Sequence, residues 1–362
     1  MVTAQALGPL HSGNIPQLGT EIHEPLLQRR GTCTTSLTMD TIETTYGTVS
    51  GIADRATYAG GAVKSCRVAA ENRLQTPFGE IIPLYRMAEL GERNKKDRRS
   101  LGFFENGRIK SIALDQAMPL QTPLGLIKAE AVSFHENGAI NRLFPLNGQI
   151  DGYWSERKEA ELAEPMDFDL PVGKFRAKVI SLHFYPSGVL KSLTLWPSER
   201  LTIHTTTGPM RVRKGFSLHE DGTLRSLEPA KVEELDTPIG TVKAFDAEMV
   251  GMSADLNSIQ FAPSGALLSV KTIHTGLRVR HADGNETLIE PFETISRIDD
   301  EGMRTVPMQI DFGAGKVRVV AQHTHNFDMA HTTITTFPRG RVIREACSSC
   351  AGCDGGDGCC QN

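Results

Sequence analysis

Short runs of alternating apolar and polar residues, interrupted by glycine-containing turns, recur along the chain. The segment FFENGRIKSIAL begins at Phe103, and SFHENGAINRLF begins at Ser133 with the same order of residue types. Alternation with a period of two puts one set of side chains on each face of a β-strand. The pattern therefore predicts a strand, a tight turn and a second strand.

Copies of this hairpin phrase occur six times. Aligned on the turn glycine, they centre on Gly61, Gly107, Gly138, Gly188, Gly222 and Gly265, with weaker echoes at Gly302 and Gly340. Asn106-Gly107 and Asn137-Gly138 are the sharpest turn signals, because Asn and Gly both tolerate a positive φ. These two pairs predict type I′ hairpin turns.

A second phrase, exemplified by QTPLG at Gly125, alternates with the first. Its copies end at Gly47, Gly79, Gly125, Gly173, Gly208 and Gly240. In most copies a proline fixes φ within the turn, the glycine lets the chain leave it, and an apolar run follows. Each repeat unit is therefore expected to contain a turn, a strand and a hairpin.

The spacing of the units indicates the architecture. The six hairpin glycines lie 31 to 50 residues apart, and the two longest intervals contain charged insertions at 86–99 and 155–166. One hairpin cannot bury its apolar face, whereas neighbouring hairpins share a continuous core. The sequence predicts an all-β fold in which repeated antiparallel hairpins form an extended, solenoid-like β-meander. A β-propeller is the alternative, although blades in a ring need more even spacing.

The charged insertions are expected to be helical or irregular. The first contains a basic cluster, which the sequence predicts to be a solvated surface, with contact to an acidic partner as the alternative. Its members are Arg93, Lys95, Lys96, Arg98 and Arg99.

The repeated phrase resembles the bacterial antitoxin-like repeat proteins of the YwqK type, which are related to MORN repeats. The resemblance covers roughly residues 45–270 and rests on the order aromatic, polar, Asn-Gly, apolar. It implies an extended β-meander that serves as a scaffold or as a surface for protein interactions.

Composition narrows the classes of partner. Hydrophobic residues make up 39% of the 362 residues, enough for a sizeable core, and the net charge is only −4. Such a balance favours neither nucleic acid nor a membrane surface as a partner. The chain also has no apolar run of about 18 residues and no signal-peptide pattern near its first residues. We therefore expect a cytoplasmic protein with a protein partner.

Three regions are expected from the composition along the chain. Residues 1–32 are predicted to form a flexible arm, residues 33–345 the β-hairpin repeat domain, and residues 346–362 a tail rich in Cys and Gly.

Motifs that carry catalytic chemistry are missing from the sequence. It contains no Gly-x-Ser-x-Gly, no His-Glu-x-x-His and no complete Walker loop. The stretch GAGK at Gly313 predicts a hairpin turn instead. Carboxylate pairs at Asp167 with Asp169 and at Asp299 with Asp300 lie near turn signals, where Asp is expected for backbone reasons. The sequence favours a protein without enzymatic activity.

Aromatic residues fall into two groups. One group occupies the same repeat position and is predicted to face the core: Phe103, Phe134, Phe184 and Phe261. Trp154 and Trp196 lie outside the repeat pattern. Because amphipathic rings often line grooves and interfaces, these two residues are candidates for partner binding, with capping of the core as the alternative.

A histidine-rich segment is a candidate metal site. His323 and His325 would point to the same face of a strand, and Asp328 or His331 would arrive from the next turn. The alternative is a set of polar residues on an exposed strand and loop.

The tail provides the strongest chemical signal. Five of the seven cysteines are clustered there, at Cys347, Cys350, Cys353, Cys359 and Cys360. Two-residue spacing lets consecutive thiolates converge on one metal, and the intervening glycines let the backbone wrap around it. Cytosolic cysteines at this density favour metal or redox chemistry over disulfides. Zinc, copper(I) and an iron–sulfur cluster all suit these soft ligands. Cys33 and Cys66 are expected to be buried small hydrophobic residues.

Three functions follow from these features. The leading hypothesis is a non-enzymatic scaffold or partner-binding protein whose tail binds a soft metal or an iron–sulfur cluster. The second is a metal- or cluster-dependent redox accessory protein or oxidoreductase. The third is an antitoxin-like interaction module in which the tail is incidental.

Overall fold

The computed structural model describes residues 41–89, 91–96, 99–247, 253–295 and 302–339. Within these ranges the elements are β1 (Ile42–Thr44), β2 (Gly47–Val49), β3 (Ile52–Thr57), β4 (Val63–Val68), β5 (Leu74–Thr76), β6 (Gly79–Ile81), β7 (Leu101–Phe103), β8 (Ile109–Thr122), β9 (Gly125–Phe134), β10 (Ile140–Phe144), α1 (Glu156–Leu162), β11 (Met166–Leu170), β12 (Gly173–Ala177), β13 (Val179–Phe184), β14 (Leu190–Leu195), β15 (Leu201–Thr205), β16 (Gly208–Leu218), β17 (Leu224–Pro229), β18 (Glu233–Thr237), β19 (Gly240–Ala244), β20 (Ile259–Phe261), β21 (Leu267–Thr272), β22 (Thr275–His281), β23 (Glu286–Ile289), β24 (Phe292–Ile295), β25 (Met303–Val306), β26 (Met308–Gly313), β27 (Lys316–Val320), β28 (Thr324–Asp328) and β29 (Thr332–Pro338).

A sixteen-stranded antiparallel sheet dominates the described residues. Its order is β28-β27-β26-β21-β20-β17-β16-β14-β13-β10-β9-β8-β7-β4-β3, with β15 paired to β16. Consecutive hairpins add to the same sheet, and the ends at β3 and β28 do not meet. The predicted all-β meander is confirmed. The β-propeller alternative is wrong, because one continuous open sheet replaces separate blades.

The second phrase forms a set of short hairpins beside this sheet. They are β1-β2, β5-β6, β11-β12 and β18-β19, while the long strands β8-β9 and the pair β15-β16 carry the remaining copies. Apolar residues of the short hairpins, such as Leu74, Phe168 and Val242, belong to the same buried cluster as the residues of the large sheet. The two kinds of hairpin thus bury their apolar faces in one shared core.

The repeat-position phenylalanines all lie in this core, as predicted. Phe103, Phe134, Phe184 and Phe261 are buried in the hydrophobic cluster. The GAGK turn also matches its prediction, since Gly313 pairs directly with Lys316 between β26 and β27.

The Asn-Gly turns differ from the type I′ prediction. The carbonyl oxygen of Phe104 accepts a 3.0 Å hydrogen bond from Gly107 N, and Phe104 N donates one of 2.8 Å to Arg108 O. Gly107 has a φ of 81°, whereas Asn106 has a negative φ. This is a type I turn followed by a left-handed glycine in a β-bulge, and the register shifts after Gly102 accordingly.

A hydroxyl staple closes the turn of the second phrase. Thr122 Oγ1 donates to Gly125 O at 2.7 Å and accepts from Leu124 N at 3.1 Å. Equivalent pairs of bonds form at Thr44, Thr76, Thr205 and Thr237. The side chain satisfies two backbone groups, which explains why Thr precedes the Pro-x-Gly sequence.

The insertions complete the described fold. The second contains α1, as expected, and the described residues of the first, 86–89, 91–96 and 99, are irregular. None of the helices in the described part of the chain has the length and hydrophobicity required to cross a membrane. The expected region boundaries at residues 32 and 346 lie outside the described residues.

Candidate functional site

Residues 150–154, here called the aromatic loop, form a tight turn just before α1. Asp151 Oδ1 accepts hydrogen bonds from Tyr153 N at 2.8 Å and from Trp154 N at 3.0 Å. Asp151 N donates to Trp154 O at 3.0 Å. Ile150 is 51% exposed and Tyr153 is 65% exposed. The loop therefore has a fixed backbone and presents two large side chains to solvent.

Helix α1 anchors the loop from the other side. Ser155 caps the helix, since its hydroxyl accepts from Lys158 N at 3.3 Å. Glu159 faces inward, where its carboxylate accepts from Trp154 Nε1 at 2.7 Å and from Gly148 N at 2.8 Å. The indole N–H of Trp154 is therefore held by a buried carboxylate.

Arg93 connects this helix to the large sheet. Its guanidinium makes a bidentate contact with Glu130, at 2.9 and 2.7 Å, and also bonds Glu159 through Nε at 2.5 Å. Lys95 Nζ lies 2.5 Å from Glu130 Oε1. All four side chains are largely buried. The prediction of a solvated basic cluster is wrong for Arg93 and Lys95, because two buried carboxylates pair with them.

Electrostatics favour the charged forms of these acids. Burial alone would raise the pKa of Glu130, but hydrogen bonds from Arg93 and Lys95 hold it below its ordinary value. The pKa of Glu159 is also lowered, since Arg93 and Trp154 outweigh the effect of burial. Burial lowers the pKa of Lys95, although Glu130 opposes this.

A second polar region crosses the middle of the large sheet. Directly opposite residues on successive strands form a continuous line, here called the serine row: Ser65, Gly102, Ser111, Ser133, Arg142, His183, Ser192, Ser217, Ser226, Gln260, Ser269 and Asp311. The neighbouring Leu193, Phe216 and Leu227 face the core. Because side chains alternate along a strand, the serine row lies on the opposite face of the sheet.

Residues 253–258, here called the cover segment, lie over the centre of this row. Ala254 N donates to Thr194 Oγ1 at 3.1 Å, and Asn257 Nδ2 donates to Ser226 Oγ at 2.8 Å. Ser258 donates to the Glu228 carboxylate through N at 2.9 Å and through Oγ at 2.8 Å. These contacts bury the polar centre of the row.

The carboxylate of Glu228 is fully enclosed beneath the cover segment. Burial raises its pKa, and the hydrogen bonds from Ser258 and the charge of Arg213, 3.5 Å away, only partly oppose this.

Asp255 of the cover segment contacts three residues of the row. Its Oδ1 lies 2.8 Å from His183 Nδ1 and accepts from Ser192 Oγ at 2.5 Å, while Oδ2 accepts from Arg142 at 2.8 Å. Burial would raise the pKa of Asp255, but the bonds from His183 and Ser192 and the charge of Arg142 hold it far below its usual range. This group of donors is suited to hold a carboxylate.

The tautomer of His183 follows from these contacts. Its Nδ1 also lies 2.9 Å from Arg142 Nη2, and one nitrogen cannot donate to the acid and accept from the guanidinium together. Donation from Nδ1–H to Asp255 satisfies both groups, because Arg142 bonds the other carboxylate oxygen. Ser192 donates to the acid and not to the imidazole, so the hydroxyl lacks the base that activates a nucleophilic serine.

The other predicted site residues are placed as follows. Trp196 is buried, and its Nε1 has no hydrogen-bond partner among the described residues. His325 stacks on Phe327 with ring centroids 6.0 Å apart. Among the described residues, no three His, Cys, Asp or Glu side chains are arranged to hold a metal ion, so the structure does not assemble His323, His325, Asp328 and His331 into such a group.

The cysteines and the carboxylate pairs are the remaining candidates from the sequence. Cys66 is buried as expected, and burial raises the pKa of its thiol to about 11, with Arg99 opposing. Asp167 and Asp169 form surface ion pairs across a hairpin, with Arg176 and Lys174. Cys33, the Asp299-Asp300 pair and all five tail cysteines lie outside the described residues.

Five residues of these clusters were not singled out from the sequence: Glu130, Glu159, Arg142, His183 and Asp255. Arg142 offered a signal, since the five other copies of the repeat have a serine at its position, four residues after the turn glycine.

No protein-family model, curated protein or solved structure matches the chain. The resemblance to antitoxin-like repeats stays a prediction.

Proposed function

We propose that the protein is a non-enzymatic scaffold that binds a protein partner through its aromatic loop. The observation that carries this proposal is the exposure of Ile150 and Tyr153 on a loop whose backbone is fixed by hydrogen bonds to Asp151. Large apolar and aromatic side chains dominate the energetics of protein interfaces when they enter a pocket of the partner.

The fixed geometry of the loop supports the proposal. Binding is weakened by the entropy lost when loops and side chains become ordered, and a loop that is already ordered avoids part of this loss. Trp154 is held through Glu159, and Glu159 is held through Arg93, so the loop is tied to the large sheet.

The connection from the aromatic loop to the sheet consists of buried charged side chains. A buried ion pair often stabilises a fold no more than apolar residues of similar volume would. Its directional bonds do, however, set the orientation of a neighbouring ring. The group formed by Arg93, Glu130 and Glu159 therefore suits the positioning of the aromatic loop. The expected partner presents an apolar pocket that accepts Ile150 and Tyr153.

A comparison of surface variants tests the proposal. Ile150→Ser combined with Tyr153→Ser should reduce co-purification of a stoichiometric partner at least tenfold without changing the melting temperature. Leu288→Ser is the control, because Leu288 is 61% exposed on a strand remote in sequence. If the loop variant retains every protein that the wild type and the control bind, the proposal is wrong.

The tail adds a metal-binding arm to this proposal. Support comes from the spacing of Cys347, Cys350 and Cys353 and from the nearby Cys359 and Cys360. Anaerobically purified full-length protein should contain stoichiometric zinc, copper(I) or iron that is lost in a chain ending at Ala346. A brown colour lost on truncation would identify an iron–sulfur cluster and favour a redox role. Equal metal content in both chains would contradict metal binding by the tail.

A further inference from the structure

We propose that Arg142, His183 and Ser192 form a carboxylate-binding cradle that Asp255 fills as an internal ligand, and that an aspartate at a bend in a segment of a partner protein can replace it. This inference is independent of the aromatic loop.

The cradle is built entirely by the sheet. Arg142 lies directly opposite His183 on the neighbouring strand, and His183 lies directly opposite Ser192 on the next. Strand pairing therefore sets the three donors side by side, whether or not the cover segment is present. A guanidinium, an imidazole N–H and a hydroxyl together satisfy both oxygens of one carboxylate.

The sequence departs from its own repeat at this place. The corresponding positions on the flanking strands are small, with Ser133 on one side and Ser217 on the other. Arg142 and His183 therefore introduce two large donors between flanking serines of the row, and both contact the same acid.

The resident ligand is held in a way that another peptide can reproduce. Ala254 N donates to Thr194, Asn257 donates to Ser226, and Asp255 occupies the cradle. A segment with an aspartate after a free backbone N–H, and with the bend that the chain makes at Asp255, could make the first and third of these contacts. The side chain of Asp255 remains 27% exposed, so the cradle is open to solvent on one side.

Few apolar contacts fasten the cover segment. Ala254 is buried, but Leu256, its largest side chain, is 61% exposed. The other anchors of the segment are hydrogen bonds between buried polar groups, which a competing segment has to replace. Leu256 and the partly exposed side chain of Asp255 form its accessible part, where a competing acidic segment can begin to displace it.

Peptide binding to the full-length chain tests the proposal. The probe is acetyl-SADLNS-amide, the cover segment itself, and the matched control is acetyl-SANLNS-amide, which lacks the charge. The chain with Asp255→Ala should bind the first peptide at least tenfold more tightly than the wild type does, because its own ligand is gone. The Asp255→Ala chain should also bind the control peptide at least tenfold more weakly than it binds the acidic peptide. Adding Arg142→Ala should abolish binding of the acidic peptide.

Three results would overturn the proposal. They are no binding of the acidic peptide to the Asp255→Ala chain, equal binding of the two peptides, and equal binding to the wild type and the variant.

Acetate provides a second measurement if the Asp255→Ala chain is too unstable for titration. As a free carboxylate, acetate should raise the melting temperature of this variant more than an equal concentration of chloride does. Asp167→Ala, which removes an exposed acid, should show no such difference. An acetate effect that is equal in both variants would also reject the cradle.

Discussion

The hydroxyl of Tyr185 donates a 2.9 Å hydrogen bond to the carbonyl oxygen of Leu218, the last residue of β16 in the next hairpin. Tyr58 makes the same bond to Phe103, and the ring Nε2 atoms of His135 and His219 reach the carbonyls of Phe184 and Phe261. A polar aromatic residue at the start of the turn thus ties each of these hairpins to a later one. This explains why Tyr or His stands three residues before the turn glycine in four of the six copies.

Removing one of these hydrogen bonds between hairpins should lower the free energy of unfolding by the contribution of a single hydrogen bond. Tyr185→Phe keeps the ring and deletes the hydroxyl, so the free energy of unfolding should fall by about 1 kcal/mol. Urea denaturation measures this. Tyr153→Phe is the control and should change nothing, because Tyr153 is largely exposed. Equal stability of Tyr185→Phe and the wild type would show that the tie does not contribute.

Gly215 marks the bend where β16 leaves the short hairpin and enters the large sheet. Its φ is +136°, and a Cβ atom there would lie 1.9 Å from Leu193 O. Gly215→Ala should therefore lower the free energy of unfolding by at least about 3 kcal/mol. Gly152→Ala is the control, since a Cβ at Gly152 meets nothing within 4 Å. A loss in Gly215→Ala no larger than in the control would contradict this backbone geometry.

Local sequence patterns were sufficient for the fold class. Alternation and turn residues depend on neighbours a few positions apart, so the hairpins and the core positions of Phe103 and Phe184 could be predicted. The turn type could not, because the letters Asn-Gly suit both a type I′ turn and a type I turn with a glycine bulge. The choice depends on strand register across the sheet.

Long-range pairs account for the remaining differences. Arg93 is 37 residues from Glu130 and 66 from Glu159, and Asp255 is 72 from His183. No local pattern links such residues, so the basic cluster looked solvated and the carboxylate cradle was not foreseen.

The buried charge network should make stability depend on pH. The pKa values of Glu130 and Glu159 are lower in the folded state than their ordinary value of about 4.3. Groups of this kind stabilise the fold above the unfolded pKa, and the contribution is lost as pH falls through the folded pKa. The free energy of unfolding should therefore decrease as pH is lowered below about 4.3.

Arg93→Met tests the origin of this dependence. It leaves two buried carboxylates without their guanidinium, so stability at pH 7 should fall by about 3–5 kcal/mol. Removing the guanidinium would raise the pKa of both acids in the folded state, so the loss of stability below about pH 4.3 should be smaller than in the wild type. Arg176→Met, which breaks an exposed pair with Asp167, should cost less than about 1 kcal/mol. Identical pH profiles for Arg93→Met and the wild type would contradict this assignment.

Cys66 should be unreactive in the folded protein. Its thiol pKa of about 11 leaves little thiolate at pH 8, and the side chain is buried. Iodoacetamide should leave the Cys66 peptide unmodified in native full-length protein, as followed by mass spectrometry, and should modify it fully in denaturant. An exposed thiol introduced by Thr202→Cys should react quickly under native conditions. Comparable native rates at the two positions would contradict the burial of Cys66.

The role of the aromatic loop as a partner-binding surface is the central claim, and site-specific photocrosslinking tests it most directly. A photoreactive amino acid replaces Tyr153 in one full-length chain and Leu288 in another, both positions being exposed. The account predicts one discrete crosslinked protein from position 153, absent from position 288 and lost when unmodified purified protein is added as competitor. Identical crosslinked products from both positions, or none from position 153 while a partner still co-purifies, would contradict it.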